Sequence, residues 1–242
     1  FRAALEINPS DALQITLNAR HYDSDTSPML KSLNTLFNVA YTAFNATQIS
    51  DPFTVQQNVQ SGVAAKQTGA DATVKYEIGK VFLSSVTAVR KEKLNIKNTD
   101  TDATEIDALN VGGGNSPERS NFFSQDFTAG SNSDGPIEWT ALASYMHQTT
   151  DYNFAIAVPV ARVRTLAVGT LTTDAFGVGG QASYTLASGL SLTAGVRYSK
   201  ESKENIETNA VNGTVTKSQN AKETWSAWTP RFVAKYSVTD NT

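Results

Sequence analysis

The 242-residue chain has no cysteine and only two histidines, His21 and His147. Missing thiols exclude disulfide frameworks, thiolate nucleophiles and the common structural zinc sites. Two histidines offer too few converging ligands for a metal centre, so they are expected to be solvated or to line a wet interior. A dominant charge is missing too: 20 Lys plus Arg against 23 Asp plus Glu leave a formal charge of -3, evenly spread. That excludes a surface built for nucleic acid. Long apolar runs are also absent, since a stretch such as FAIAVPVA at 154–161 falls far short of the ~18 residues of a membrane helix. A mean hydropathy of -0.30 still permits a membrane β-barrel, whose alternating strands dilute their apolar half. The chain opens on FRAALEI, with neither a start methionine nor a signal-peptide pattern, and is expected to be a piece of something longer.

What the sequence has is strict alternation. In GLSLTAGVRYSKESKE, residues 189–204, Leu190, Leu192, Ala194, Val196 and Tyr198 take every second position, with Arg197 among the polar residues between them. Side chains of a strand point alternately to opposite faces, so this strand has one apolar and one polar face. FRAALEI and ALQITLNAR repeat the pattern around Asn8-Pro9-Ser10-Asp11, and ATVKYEIG around Gly79. IEWTALASY, AFGVGGQASYTL and TPRFVAKYSV do likewise. About nine strands are predicted in all. In VFLSSVTAV the alternation fails, so the sequence does not fix the face of that strand.

Long polar stretches, roughly 25–70, 99–121, 152–173 and 207–224, separate the hairpins. Unstructured connections beyond ~12–15 residues are uncommon in compact domains, yet here they recur at every second connection. In an up-and-down antiparallel sheet this puts short turns at one end and long loops at the other, the sidedness of an outer-membrane barrel. Tyr76, Trp139, Tyr145, Tyr184, Tyr198 and Tyr236 fall on apolar faces with Leu192 and Val196, and are expected to form a lipid-facing wall with an aromatic girdle. Arg20, Glu138, Arg197, Arg231 and Lys235 fall on polar faces and are expected to face a lumen. A soluble sandwich remains the other solution, with the aromatics in its core.

No catalytic constellation is visible. Ser, His and Asp occur without defensible spacing, so the chain is not read as an enzyme. The acidic run NTDTDATEID lacks the glycine and terminal glutamate of a calcium loop, and a solvated loop is expected. Gly112-Gly113-Gly114 has no Lys-Ser/Thr after it, which leaves flexibility rather than a phosphate loop. Leu30, Leu33, Phe37, Tyr41 and Phe44 recur at helical spacing, predicting a short amphipathic helix in the first long loop. No cofactor is implied.

Three segments carry a family resemblance. NFFSQDFTAGSNSDGPIEWTALASYMHQ resembles a strand-turn-strand of TonB-dependent receptor barrels, with a Ser-Gln-acidic start, an Asp-Gly turn and a Trp then Tyr strand. LSLTAGVRYSKESKE is similar to their Leu-Thr-Ala-Gly-Arg-Tyr strand, and WTPRFVAKYSVTD to the segment that follows it. The likeness covers about residues 70–242 well and 1–25 more loosely. It implies a bacterial outer-membrane receptor with a plugged, 22-stranded barrel, taking up a scarce ligand such as a ferric siderophore or glycan fragment. It further implies outer-membrane lipid and an energy-coupling inner-membrane protein as partners, the latter acting through the plug. The plug, coupling box and aromatic-ended last strand are not found here, so the chain is expected to be an internal barrel segment, 1–242. Two unpaired edges would then make it insoluble alone. A soluble β-rich binding or adhesion module and a passive porin are the competing expectations.

Overall fold

The computed structural model describes residues 1–27, 39–51, 53–112, 117–132, 135–186 and 189–236. Its strands are β1 (Arg2–Ser10), β2 (Leu13–Thr26), β3 (Gly62–Ile78), β4 (Val81–Asp100) and β5 (Asn110–Gly112). They continue with β6 (Glu118–Ser131), β7 (Ile137–Val158), β8 (Val163–Thr185), β9 (Leu190–Val211) and β10 (Thr214–Tyr236). All ten form one antiparallel sheet, with neighbours in chain order except where β5 and β6 stack end to end between β4 and β7. No pairing joins β1 to β10 among the described residues, so the sheet has two edges.

Ten strands replace the nine expected because β5, three residues in the second polar stretch, adds to the far end of β4. Two of the expected long loops are strand instead. Residues 152–173 continue β7 and β8 around a 3₁₀ turn at Pro159–Ala161, closed by Arg162 in the left-handed region. Residues 207–224 continue β9 and β10 around Asn212-Gly213, with φ of 48° and 84°. Two successive positive φ values are what a two-residue hairpin turn needs, and Asn-Gly is its strongest sequence signal. Polar composition masked that signal, because these strand ends carry few apolar residues on either face. The Asn212 side chain also ties the two tips together, accepting from the Arg164 N–H (2.8 Å) and donating to the Arg162 carbonyl (3.1 Å).

Strands β7 to β10 are 22 or 23 residues long, against the ~9–11 that cross a bilayer. Half of each strand therefore stands beyond any membrane. The remaining connections at this end are longer. The described part of the first holds a six-residue helix, α1 (Val39–Phe44), with Ala40 buried. Tyr41 and Phe44 lie on or at the end of α1, while Leu30, Leu33 and Phe37 lie outside the described residues.

The acidic run is no solvated loop. Asp100, Asp102 and Thr104 are buried. Asp102 accepts from the backbone N–H groups of Thr104, Ala108 and Leu109 and from the Thr104 hydroxyl. Asp100 accepts from the N–H groups of Asn58 and Ala103, stapling the two loops together. These carboxylates serve as acceptors for otherwise orphaned backbone donors, a common use of Asp in turns. Glu105 adds a third link at the Thr47 N–H (2.6 Å), which holds its carboxyl below the usual range. Gly112 ends β5, and Gly113 and Gly114 lie outside the described residues.

The sheet has almost no core of its own. Among the described residues the buried hydrophobic ones are four alanines, at 40, 103, 108 and 155. Leu192 and Val196 are each 47% exposed and Tyr184 is 50% exposed, so no second sheet of the described residues packs on these side chains. An apolar face this open has to be covered by its surroundings, since apolar burial is the main favourable term in folding.

Replacing Asp102 with alanine should leave the Thr104 and Leu109 N–H groups without their acceptor, at a cost of about 1–3 kcal/mol for each that stays buried, while the Thr104 hydroxyl and the Ala108 N–H keep the Ile106 carbonyl. Hydrogen exchange should then accelerate at the amides of Thr104 and Leu109 and remain slow in β8 and β9; unchanged protection at both would refute this account.

Candidate functional site: the two faces of the sheet

Directly opposed residues of an antiparallel pair project from the same face, so the register carries face identity from strand to strand. Starting at Leu192, the chain of partners runs through Tyr184 and Ile137, and every second residue along each strand follows. By this rule Tyr76, Trp139, Tyr145, Tyr184, Leu192, Val196, Tyr198 and Tyr236 all share one face. Arg20, Glu138, Arg197, Arg231 and Lys235 all share the other. Register also decides β4: Val81, Leu83 and Val89 join the apolar face, while Phe82, Val86 and Arg90 lie opposite.

The apolar face is a band, not a whole surface. On β9 it runs from Leu190 to Tyr198, on β8 from Tyr184 to Phe176, and on β10 from Tyr236 to Trp228. Tyr76, Trp139, Tyr184 and Tyr236 edge it near the short turns. Phe123, Tyr145, Phe176, Tyr198 and Trp228 edge it on the far side. Tyr198 and Trp228 pack ring against ring at 5.0 Å. Three polar residues interrupt the band and satisfy one another: Thr87 donates to the Gln125 carbonyl oxygen (2.6 Å), and the Gln125 amide donates to Ser85 (2.9 Å). That closed group needs no water.

His21 and His147 are on the apolar-band face, just past its far edge, and so do not line the polar face. His21 pairs with the Thr68 hydroxyl (2.9 Å). His147 meets Asp174 at 2.8 Å, and Asp174 also accepts from Tyr145 (3.1 Å).

The polar face is built of small residues crossed by long ones. Gly177 lies between Ser144 and Arg197, and a Cβ there would sit 2.9 Å from the Arg197 Nη2 and 2.9 Å from the Ser144 Oγ. The missing side chain lets Arg197 lie across β8. Around it Phe122, Asp126, Glu201 and Trp225 line a concavity of about 640 Å³, within the size range of small-molecule sites. A cation, two carboxylates and two aromatic rings give it handles for a flat or charged ligand. Further along, Arg231 donates to Gln181 (2.8 Å). Arg20 approaches Asp71 at 3.9 Å, and Arg90 stacks over the Phe122 ring at 4.9 Å while pairing with Glu92 at 3.2 Å. Gly169 plays the same part as Gly177 higher up, letting Tyr152 cross β8 and donate to Glu207 (2.6 Å). Glu138 and Lys235 are exposed on this face near the short turns. Asp126, Phe122 and Glu201 lie in the segments that carry the family resemblance, but nothing in the sequence groups them or Trp225 around Arg197; only the register does so.

Residues 3–242 match the family described as TonB dependent receptor-like, beta-barrel. No curated protein matches the sequence. The ferric yersiniabactin uptake receptor FyuA from Yersinia pestis is similar in structure, with a TM-score of 0.77 and 13% identity over 99% of this chain and 35% of that one. The open form of the ferric-catecholate import receptor Fiu from E. coli K12 has a TM-score of 0.64 and 10% identity over 99% of this chain and 44% of that one. At these identities the likeness is one of fold, and the chain spans less than half the length of either structure.

Gly177 and Gly179 should respond differently to alanine. A Cβ at Gly179 would meet the Val196 carbonyl at 2.8 Å, which is backbone and cannot swing away, whereas the one at Gly177 meets movable side-chain ends. Gly179→Ala is expected to cost about 1–3 kcal/mol and Gly177→Ala less than about 1, as read by urea unfolding; equal costs would count against this packing.

Proposed function

The chain belongs to the TonB-dependent receptor-like β-barrel family, and from that premise we propose that it forms part of the wall and outer loops of an active transporter in the bacterial outer membrane. The transported ligand is a small chelate, a ferric siderophore, and an inner-membrane partner energises its passage. One observation carries this reading: a single unbroken register assembles an exposed apolar band of bilayer height, edged on both sides by aromatic residues. Five alternate residues from Leu190 to Tyr198 span ~27 Å of strand, or ~21 Å along the membrane normal at a tilt of about 40°, close to the ~25 Å apolar band of an outer-membrane barrel. Aromatic edges belong at the water–lipid interface.

The polar face then borders the lumen. Its Arg197 concavity supports a ligand-contacting role, because a guanidinium beside aromatic rings suits a compact anionic chelate. The proposed domain reading, a partial barrel whose remaining strands and plug come from elsewhere in the protein, is supported by the open edges at β1 and β10 and by the share of each matched structure covered. Open edges cannot stand in lipid, where nothing else can satisfy their backbone groups.

Single-tryptophan variants of the whole gene product separate the faces. Trp228, on the band edge, should be quenched by brominated lipid, and Trp225, on the opposite face, by aqueous acrylamide; the reverse pattern would sink the assignment. Val196→Arg should lower stability in bilayers by about 2–4 kcal/mol, while Thr193→Arg on the polar face should change it by less than about 1, both read as the urea midpoint for loss of heat-modifiable migration. Arg197→Ala should raise the KM for ferric-siderophore uptake at least tenfold without altering that migration, and unchanged uptake would remove Arg197 from the ligand path.

A further inference from the structure

Beyond the far edge of the apolar band, charge on the outward face is unevenly distributed. On β3, β4 and β6 the residues directly opposite one another are Lys66, Lys93 and Arg119, three cations in one cross-strand row. Lys91 stands one same-face step nearer the band, between Thr68 and Asn121. All four are exposed. Lys66 is neutralised by Asp23 at 2.9 Å, but Lys91, Lys93 and Arg119 make no ion pair among the described residues. Asp151, the cross-strand partner of Arg119, accepts from the Thr170 hydroxyl at 2.7 Å and keeps its charge, so four cations face two carboxylates, Asp23 and Asp151. Like charges directly opposed on a sheet are destabilising, so this row calls for anions from outside the chain.

Height decides which anions. Val89 and Phe123 are the last apolar pair below the patch. Lys91 is about 7 Å of strand beyond Val89 and Lys93 about 13 Å, or about 5 and 10 Å along the membrane normal for strands tilted about 40°. The headgroup layer is ~5–8 Å deep, and flexible lysine and arginine stems reach several ångströms toward it. The patch also lies on the side of the long strand extensions, hence facing the outer leaflet. Elsewhere on the same rim Asp174 follows the band on β8, and Lys200 and Glu204 follow it on β9; Asp174 meets His147 at 2.8 Å and Glu204 pairs with Lys222 at 3.2 Å, so two cations, Lys200 and Lys222, balance two carboxylates there. The excess of positive charge is local to β3, β4 and β6.

We propose that Lys91, Lys93 and Arg119, flanked by Lys66, form a docking site for the phosphate groups of outer-leaflet glycolipid, fixing a lipid to this part of the barrel wall. The inference rests on the apolar band facing lipid, as argued above. Charge complementarity selects a phosphorylated headgroup over a zwitterionic one.

Native mass spectrometry of the whole gene product in mixed micelles tests it, with a bis-phosphorylated acylated glucosamine disaccharide and its dephosphorylated form as probes. Wild type should bind the phosphorylated lipid at least tenfold more tightly than the dephosphorylated one. The Lys91→Gln, Lys93→Gln, Arg119→Gln triple variant should lose that preference while keeping heat-modifiable migration. Lys75→Gln with Lys217→Gln, two cations on the opposite face, should keep the preference. Equal binding of both lipids by migrating wild-type protein would overturn the site and leave the membrane-wall reading intact. Displacement by inorganic phosphate at the lipid's own concentration would also overturn it, in favour of a free-anion site. Absence of heat-modifiable migration in wild type would instead bring down the membrane-wall reading, and this inference with it.

Discussion

Continuity of the cross-strand hydrogen-bond ladder is the constraint on which everything else in this molecule depends. From β1 to β10 each strand is paired along most of its length, with one irregularity at Ile7–Ser10, one at Gly62–Val63 and one at Val215–Lys217. All three sit at strand ends. Within the apolar band the pairing is unbroken, so no strand is displaced by a residue relative to its neighbours. A slip of one would turn that strand's apolar side chains to the opposite face. With four alanines as the buried hydrophobic residues among those described, the ladder and the surrounding medium must supply the stability that a core supplies elsewhere.

The ladder also explains how function is divided between heights. Inside the band, glycine and serine on the polar face clear room for Arg197 to cross β8, and the aromatic residues around it belong to β6 and β10. Above the band, the same strands continue as extended hairpins whose tips are joined by Asn212. Beside them the loops around Asp100 and Asp102 are stapled by backbone donors to buried carboxylates. Water can satisfy backbone groups at this height, so turns and loops are permitted there that lipid would forbid. On the function proposed above, a rim tied by these hydrogen bonds would need less ordering when a ligand binds.

Legibility in the sequence followed the contrast between apolar and polar residues. Where alternation was clean, as in Leu190 to Tyr198 or Ala72 to Ile78, strand and face could be read directly, and the resemblance at WTPRFVAKYSV extended this to β10. Where it failed, in Val81 to Val89, Ser85 and Thr87 hid the apolar face because their polarity is satisfied by Gln125 of β6, a partner 38 and 40 residues away. The extension at 207–224 looked like a loop for a related reason: it carries few apolar residues, and only the turn chemistry of Asn212-Gly213 remains as a marker, whereas at 152–173 the run FAIAVPVA is apolar on both faces and shows no alternation. The burial of Asp100 and Asp102 was invisible because it arises from donors in two loops brought together by β3, β4 and β5.

The sequence alone determined the period of the strands and which side chains of a given strand share a face, because a two-residue repeat is a local property of extended backbone. It also determined that neither disulfides nor thiolate metal sites could support the structure. Tertiary structure decided how those faces join, which residues surround Arg197, and that Lys66, Lys93 and Arg119 meet in one row. Those are matters of register between strands far apart in the chain, and register is set by the whole ladder rather than by any one segment.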